Sequence, residues 1–206
     1  MAITVTIQPD GTVGKDTFIH SSAATTNYGT GAYLTFGAEA GDIASALIDF
    51  KLRDNYSYLK KSLILSAILS LYTWSADARH ANVPIGHCLR NWVENEANWN
   101  VYSTGNNWQT AGGLGAADRE VFISNICAIQ YVAGQEIQMP IPHKEIIRQI
   151  VDPAVYGFIL TNNFTTTTVL VCSSDNTTAA YRPKLTIVYE PYHKIFPISA
   201  GLGQVR

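Results

Sequence analysis

The chain predicts an all-β fold, an antiparallel jelly-roll β-sandwich with one short helix. Three observations predict it. Short runs of alternating apolar and polar residues recur from Ala2 to Tyr189, with Gly, Pro, Asn or Asp between them. A single stretch, between Pro142 and Pro153, repeats Ile146, Ile147, Ile150 and Val151 at helical spacing instead. Charged residues make up only 15% of the chain, while Thr, Asn, Ser, Ala and Gly supply a neutral, hydrogen-bonding surface.

In order, Ala2–Ile7 reads as a first strand closed by Pro9-Asp10-Gly11. Asp16-Thr17-Phe18-Ile19 is a second, followed by a polar loop ending in Asn27-Tyr28-Gly29. Tyr33–Phe36 alternates and stops at Gly37. Ala46–Leu52 places Ala46, Ile48, Phe50 and Leu52 on one face, and Ile64–Thr73 places Ala67, Leu69 and Leu71 on one and Ile68, Ser70 and Tyr72 on the other. Val83–Leu89, Glu120–Ile123 and Glu136–Met139 follow. The helix starts behind Pro142, turns Lys144, Glu145 and Arg148 outward, and stops before Pro153. Val155–Leu160, Thr168–Ser173 and Lys184–Tyr189 close the domain, which spans 1–189. A single helix among many short strands points to a sandwich rather than to βαβ units.

Between His87 and Gly113 the strand pattern gives way to a long loop holding Trp92, Trp99 and Trp108. Three indoles in one loop imply that it is pinned to the body of the fold.

The net charge of −2 gives no electrostatic case for nucleic acid, and no apolar run approaches a membrane span. Cys88, Cys127 and Cys172 are odd in number and lie in apolar runs, where a free thiol acts as a small hydrophobe. The N-terminus lacks the basic and apolar segments of a signal peptide.

Several segments, taken in order, resemble a known family. They are Asp16-Thr17-Phe18-Ile19, Asn27-Tyr28-Gly29, Leu34-Thr35-Phe36-Gly37, Ala46-Leu47-Ile48-Asp49-Phe50 and Ser66–Tyr72. Trp92-Val93-Glu94, Trp99-Asn100, Trp108-Gln109-Thr110, Tyr156–Leu160, Ser173-Ser174 and Tyr181–Thr186 complete the set. Together they resemble the DNRLRE-type, or disaggregatase-related, module over about residues 10 to 189. The resemblance implies a jelly roll similar to carbohydrate-binding modules, some of which bind acidic polysaccharide. The chain departs from the pattern with Ser45 in place of an arginine, and with Met139–His143 in place of an aspartate-led segment.

As pins for the loop, Trp92 and Trp99 face inward in this reading. Trp74 and Trp108, with Asn106 and Asn107, form the candidate carbohydrate-binding set, because an exposed indole stacks on a sugar face while amides bond its hydroxyls. Glu94 and Glu96 lie in one turn, which does not set the separation of a glycosidase pair, and His80 and His87 lack a metal-ligand spacing. No nucleophile elbow, phosphate loop or zincin motif occurs, so the chain reads as a non-enzyme. No cofactor is expected. Asp16 and Asp175, with nearby carbonyls, are the oxygens a structural Ca²⁺ would use.

Residues 190–206 carry Ile195, Phe196, Ile198 and Leu202 without a strand or helix period, and read as an extended docking tail. That tail, the free cysteines and the leader-less start lead to a structural subunit of a phage-like virion, a capsid decoration or tail-associated protein made in the host cytoplasm. Its partners would be other virion proteins in an oligomeric assembly. The alternative is a carbohydrate-binding module recognising a host or environmental polysaccharide from an extracellular position.

Overall fold

The protein's structure, a computed structural model, describes residues 1–75, 80–81, 84–123, 129–130, 132–161 and 167–191. Its strands are β1 (Ile3–Ile7), β2 (Asp16–His20), β3 (Tyr33–Glu39), β4 (Asp42–Ile48), β5 (Leu63–Ser75), β6 (His80–Ala81), β7 (Ile85–Cys88) and β8 (Val101–Ser103). They continue with β9 (Asn106–Asn107), β10 (Arg119–Ile123), β11 (Ile129–Gln130), β12 (Glu136–Pro140), β13 (Phe158–Thr161), β14 (Thr167–Cys172) and β15 (Lys184–Glu190). The helices are α1 (Leu52–Asn55) and α2 (His143–Val151).

All described pairings are antiparallel. One layer runs β1-β15-β5-β12, and the other holds β2, β4, β13, β7 and β10. Strands β3 and β14 join them. β3 leaves a hairpin with β4 to lie along β14, and β14 takes up the far end of the long strand β5 through Val171–Thr73 and Leu170–Ser75.

Alternation along the second layer feeds two cores. Phe36, Ile48, Phe158 and Leu160 meet Leu69, Leu71, Met139, Leu185 and Ile187 between the layers. Their neighbours Leu47 and Ile159, with Ile19, turn to the opposite face and pack under Trp92, Ala97 and Trp108. The tryptophan loop is therefore a lid on that face, which is why Leu47-Ile48 and Phe158-Ile159-Leu160 read as unbroken apolar runs. Each fully buried large apolar side chain contributes about 1.5–3 kcal/mol.

The fold departs from the sequence reading at three places. The strand expected over Ala46–Leu52 runs instead from Asp42 to Ile48, because Ala40 and Gly41 make a two-residue hairpin turn, both with positive φ (51° and 95°). Phe50 and Leu52 are still buried, but Leu52 opens α1, a single turn entered through Lys51 in the left-handed region. Helix α2 is rotated from its expected facing. Lys144 is exposed, but Glu145 is buried, with His87 Nε2 2.9 Å from its carboxylate, and Val151 is the residue left exposed. Gln149 supplies the second partner of that imidazole, at Nδ1, 2.9 Å away. A buried polar pair on a helix is invisible to hydrophobic spacing, since the pattern counts Glu145 and Gln149 as outward residues.

The docking tail residues Ile195, Phe196, Ile198 and Leu202 lie outside the described residues, as does Cys127. Cys88 and Cys172 are free and buried. Among the described residues no helix is long and apolar enough to cross a membrane.

Candidate functional site

The loop from Arg90 to Asp118 is built by hydrogen bonds that hold its tryptophans inward. Trp92 Nε1 donates to the Tyr156 carbonyl at 2.9 Å, and Trp108 Nε1 donates to the Asn98 carbonyl at 2.9 Å. The fully buried Asp118 carboxylate accepts from the backbone N–H groups of Gln109, Thr110 and Gly115, and from Arg90 Nε at 2.9 Å. Ser45 donates its hydroxyl to the Gly112 carbonyl at 3.0 Å. Gly112 has φ +82°, and a Cβ there would lie 2.3 Å from the Trp99 ring. Only glycine fits.

The expected pairing of Trp74 with Trp108 is corrected here. Trp108 is 5% exposed, edge-on to Tyr102 at 5.5 Å, and belongs to the second core, so its faces are unavailable to a sugar. Asn106 and Asn107 are exposed, but on the β8–β9 hairpin, where the Asn106 amide donates to Ser103 Oγ and the Thr104 carbonyl. Polar neighbours in sequence do not fix which way an indole points; the hydrogen bond to Asn98 does. Glu94 and Glu96 also serve the backbone, accepting from the N–H groups of Asp16 and Thr104, each at 2.7 Å.

Trp74 stands elsewhere and differently. It is 50% exposed on β5, tilted at 40° to Tyr33 with ring centroids 6.4 Å apart. Tyr33 in turn stacks on Phe18 at 5.6 Å, and Phe18 on Tyr28 at 4.0 Å. Phe18, Tyr28 and Tyr33 line an open cleft of about 320 Å³ between β2, the loop after it, and the β3–β14 pair, and Trp74 adjoins it only through Tyr33. His20, Ser22 and Thr35 bring polar groups to the same cleft, with Leu170 on its wall. The Ser22 hydroxyl lies 2.7 Å from His20 Nδ1, which orients the imidazole. Phe18, Tyr28 and Tyr33 were legible in the sequence as strand and turn residues, yet nothing in their spacing shows that three elements bring them together.

A second cavity, of about 220 Å³, is polar and lined in part by Lys15, Lys51, Arg53, Asp49 and Tyr156. Its cations are already engaged. Lys15 Nζ lies 4.2 Å from the centre of the Trp92 ring and 3.8 Å from Asp49, and Lys51 is 3.5 Å from the same carboxylate. Arg53 donates to the carbonyls of Asp152 and Val155. Burial holds the Lys15 ammonium below the usual lysine range. These contacts tie α1 and the strand ends together.

Behind the cleft, Asp16 at the start of β2 is 2% exposed. Its Oδ2 accepts from the Ser174 N–H at 2.8 Å, while Oδ1 and the Ser174 hydroxyl are buried without a hydrogen-bond partner. Burial pushes the Asp16 carboxyl up to about 7, the hydrogen bond from the Ser174 N–H opposes that, and Glu94 and Asp175 add to it. Burial also raises Glu94 and Asp175. Among the described residues, no three Asp, Glu, His or Cys side chains converge as metal ligands.

An all-β sandwich with an open, ring-lined cleft and hydroxyls around it has the form of a binding module. The chain belongs to carbohydrate-binding module family 96, whose model matches residues 9–112, a span that takes in β2, β3, Trp74 and the three tryptophans of the loop. No curated protein matches the chain. Among solved structures, infectious bursal disease virus Gx strain is similar with a TM-score of 0.22 and 14% identity, over 94% of this chain and 37% of that one. The VP2 subviral particle of infectious bursal disease virus matches at a TM-score of 0.21 and 14% identity, over 94% and 38%. The chain thus spans well under half the length of either, and scores of that size carry no argument about assembly.

Proposed function

We propose that the chain is a non-catalytic glycan-binding module that holds a polysaccharide in the cleft between β2, β3 and β14. The observation that carries this reading is the exposed indole of Trp74, tilted against Tyr33, whose ring lines a cleft edged with hydroxyls and an imidazole. The C–H face of a pyranose packs on aromatic rings, and its rim of hydroxyls bonds to groups such as His20, Ser22 and Thr35. Family membership supports the ligand class, and the ordered motifs from Asp16 to Thr186 support a place in its DNRLRE-type branch.

Affinity electrophoresis in gels carrying β-glucan, xylan, mannan or alginate tests the proposal. Retardation by one of these polymers that Trp74→Ala and Tyr33→Ala abolish is the expected result. Retardation by alginate alone, lost in Lys15→Ala or Lys51→Ala and kept in Trp74→Ala, would move the site to the cationic cavity.

A further inference from the structure

Strand β1 closes its layer as an open edge. Among the described residues its one strand partner is β15, antiparallel from Ile3–Tyr189 to Ile7–Leu185. An open edge presents unpaired backbone N–H and C=O groups, and proteins protect such edges with charge, proline, bulges or cover. The other edges of the two layers are protected in these ways. β12 carries Glu136 and Pro140, β10 carries Arg119 and Glu120 with a register shift between Val121 and Ile123, and β2 is buried. β1 has none of these devices. Ile3-Thr4-Val5-Thr6-Ile7 holds no charge, proline or glycine, its register is unbroken, and Ile3, Thr4 and Thr6 are exposed.

Those five residues also read the same in both directions. We infer that β1 pairs antiparallel with β1 of a second copy of the chain, about a two-fold axis at Val5, joining two sheets into one. That register pairs all five residues and sets like on like: Val5 on Val5, Ile3 on Ile7, Thr4 on Thr6. A shift of one residue would turn the apolar face of one copy to the solvent side of the other, and a shift of two would leave ends unpaired. Threonine pairs across strands are favourable in themselves. The two ends of β1 are complementary as well. At one end Ile3 is 39% exposed and pairs with Tyr189, whose ring lies 6.0 Å from that of the exposed Tyr58. The other end borders a cavity of about 230 Å³, lined in part by Ile7, Val13, Phe50 and Tyr56. The two-fold axis brings the protruding Ile3 of each copy beside Ile7 at the cavity of the other. Five paired residues a side fall short of the about 20–30 of a stable interface, so the dimer is weak and concentration-dependent. The inference stands apart from what the cleft binds.

The test uses the full chain. In sedimentation the dimer fraction should rise with protein concentration. The double variant Thr4→Lys with Thr6→Lys, both exposed changes, should remain monomeric, because lysines then face each other twice across the axis. Mixing it with the double variant Thr4→Glu and Thr6→Glu should restore association, and melting curves show that each variant is folded. Oxidative cross-linking reads the register. Thr4→Cys and Thr6→Cys should cross-link when mixed, above the wild-type background, and neither should do so alone. Residues 4 and 6 are direct partners across the axis, whereas 4 with 4 and 6 with 6 lie on diagonals of about 7–8 Å, beyond the usual span of a disulfide. A chain that stays monomeric up to about 1 mM overturns the inference. So does a dimer that the lysine variant leaves intact, or cross-linking of each cysteine variant alone as readily as in the mixture. Slow amide exchange at all five residues of β1 in dilute monomer would show the edge already covered within one copy, and would overturn it too.

Discussion

Replacing Asp16 with asparagine should make the protein more stable above neutral pH, not less. The side chain is 2% exposed and its carboxyl rises from the ordinary 3.8 to about 7, chiefly through burial. A carboxyl whose pKa is higher in the folded state binds its proton more tightly there. Its contribution is therefore fully present below pH 3.8 and is lost as pH rises through about 7. A rise of about three units at 1.36 kcal/mol each amounts to about 4 kcal/mol between acid and mildly alkaline solution. Asparagine keeps the carbonyl oxygen that accepts from the Ser174 N–H and never ionises. Urea denaturation of both proteins at about pH 4 and about pH 8 isolates this one group, because all other titrations cancel in the double difference. The variant should gain about 4 kcal/mol on the wild type across that interval. A double difference within about 0.5 kcal/mol of zero, the scatter of independent sites, would show that Asp16 is not held in a dry site and would refute the reasoning.

Other perturbations read other parts of the fold. Trp108→Ala should destabilise by about 3–5 kcal/mol, as large core truncations do, measured by chemical denaturation; unchanged stability would contradict its burial. Burial holds His87 below the usual histidine range, so its contribution is present above pH 6.5 and is lost on acidification. Hydrogen exchange in α2 should therefore speed up as pH falls below that value after correction for intrinsic rates, and flat protection would refute this. Gly112→Ala should lower the melting temperature, because the new methyl meets the Trp99 ring in a left-handed backbone, and an unshifted melt would count against the packing described. A chain ending at Tyr189 should keep a cooperative melt, since the described cores lie within 1–189; loss of folding would show that the tail is part of the domain.

Much of this protein is determined by its sequence alone. Alternation along β5 and β15 sends Leu69, Leu71, Leu185 and Ile187 inward whatever their neighbours, because a strand's side chains have a period of two. The paired prolines bound α2, and the tryptophans of the long loop had to be buried somewhere. The facings that involve polar contacts were decided only by tertiary structure. Glu145 turns inward because His87 reaches it from β7, 58 residues away, and no local pattern encodes that. Trp108 turns inward for the same kind of reason, held by the Asn98 carbonyl over the second core, while Trp74 has no such cover and stays half exposed. The cleft is a product of the fold in the strict sense. Phe18, Tyr28, Tyr33 and Trp74 come from separate elements, and their shared ring surface exists only once strand pairing has set them side by side.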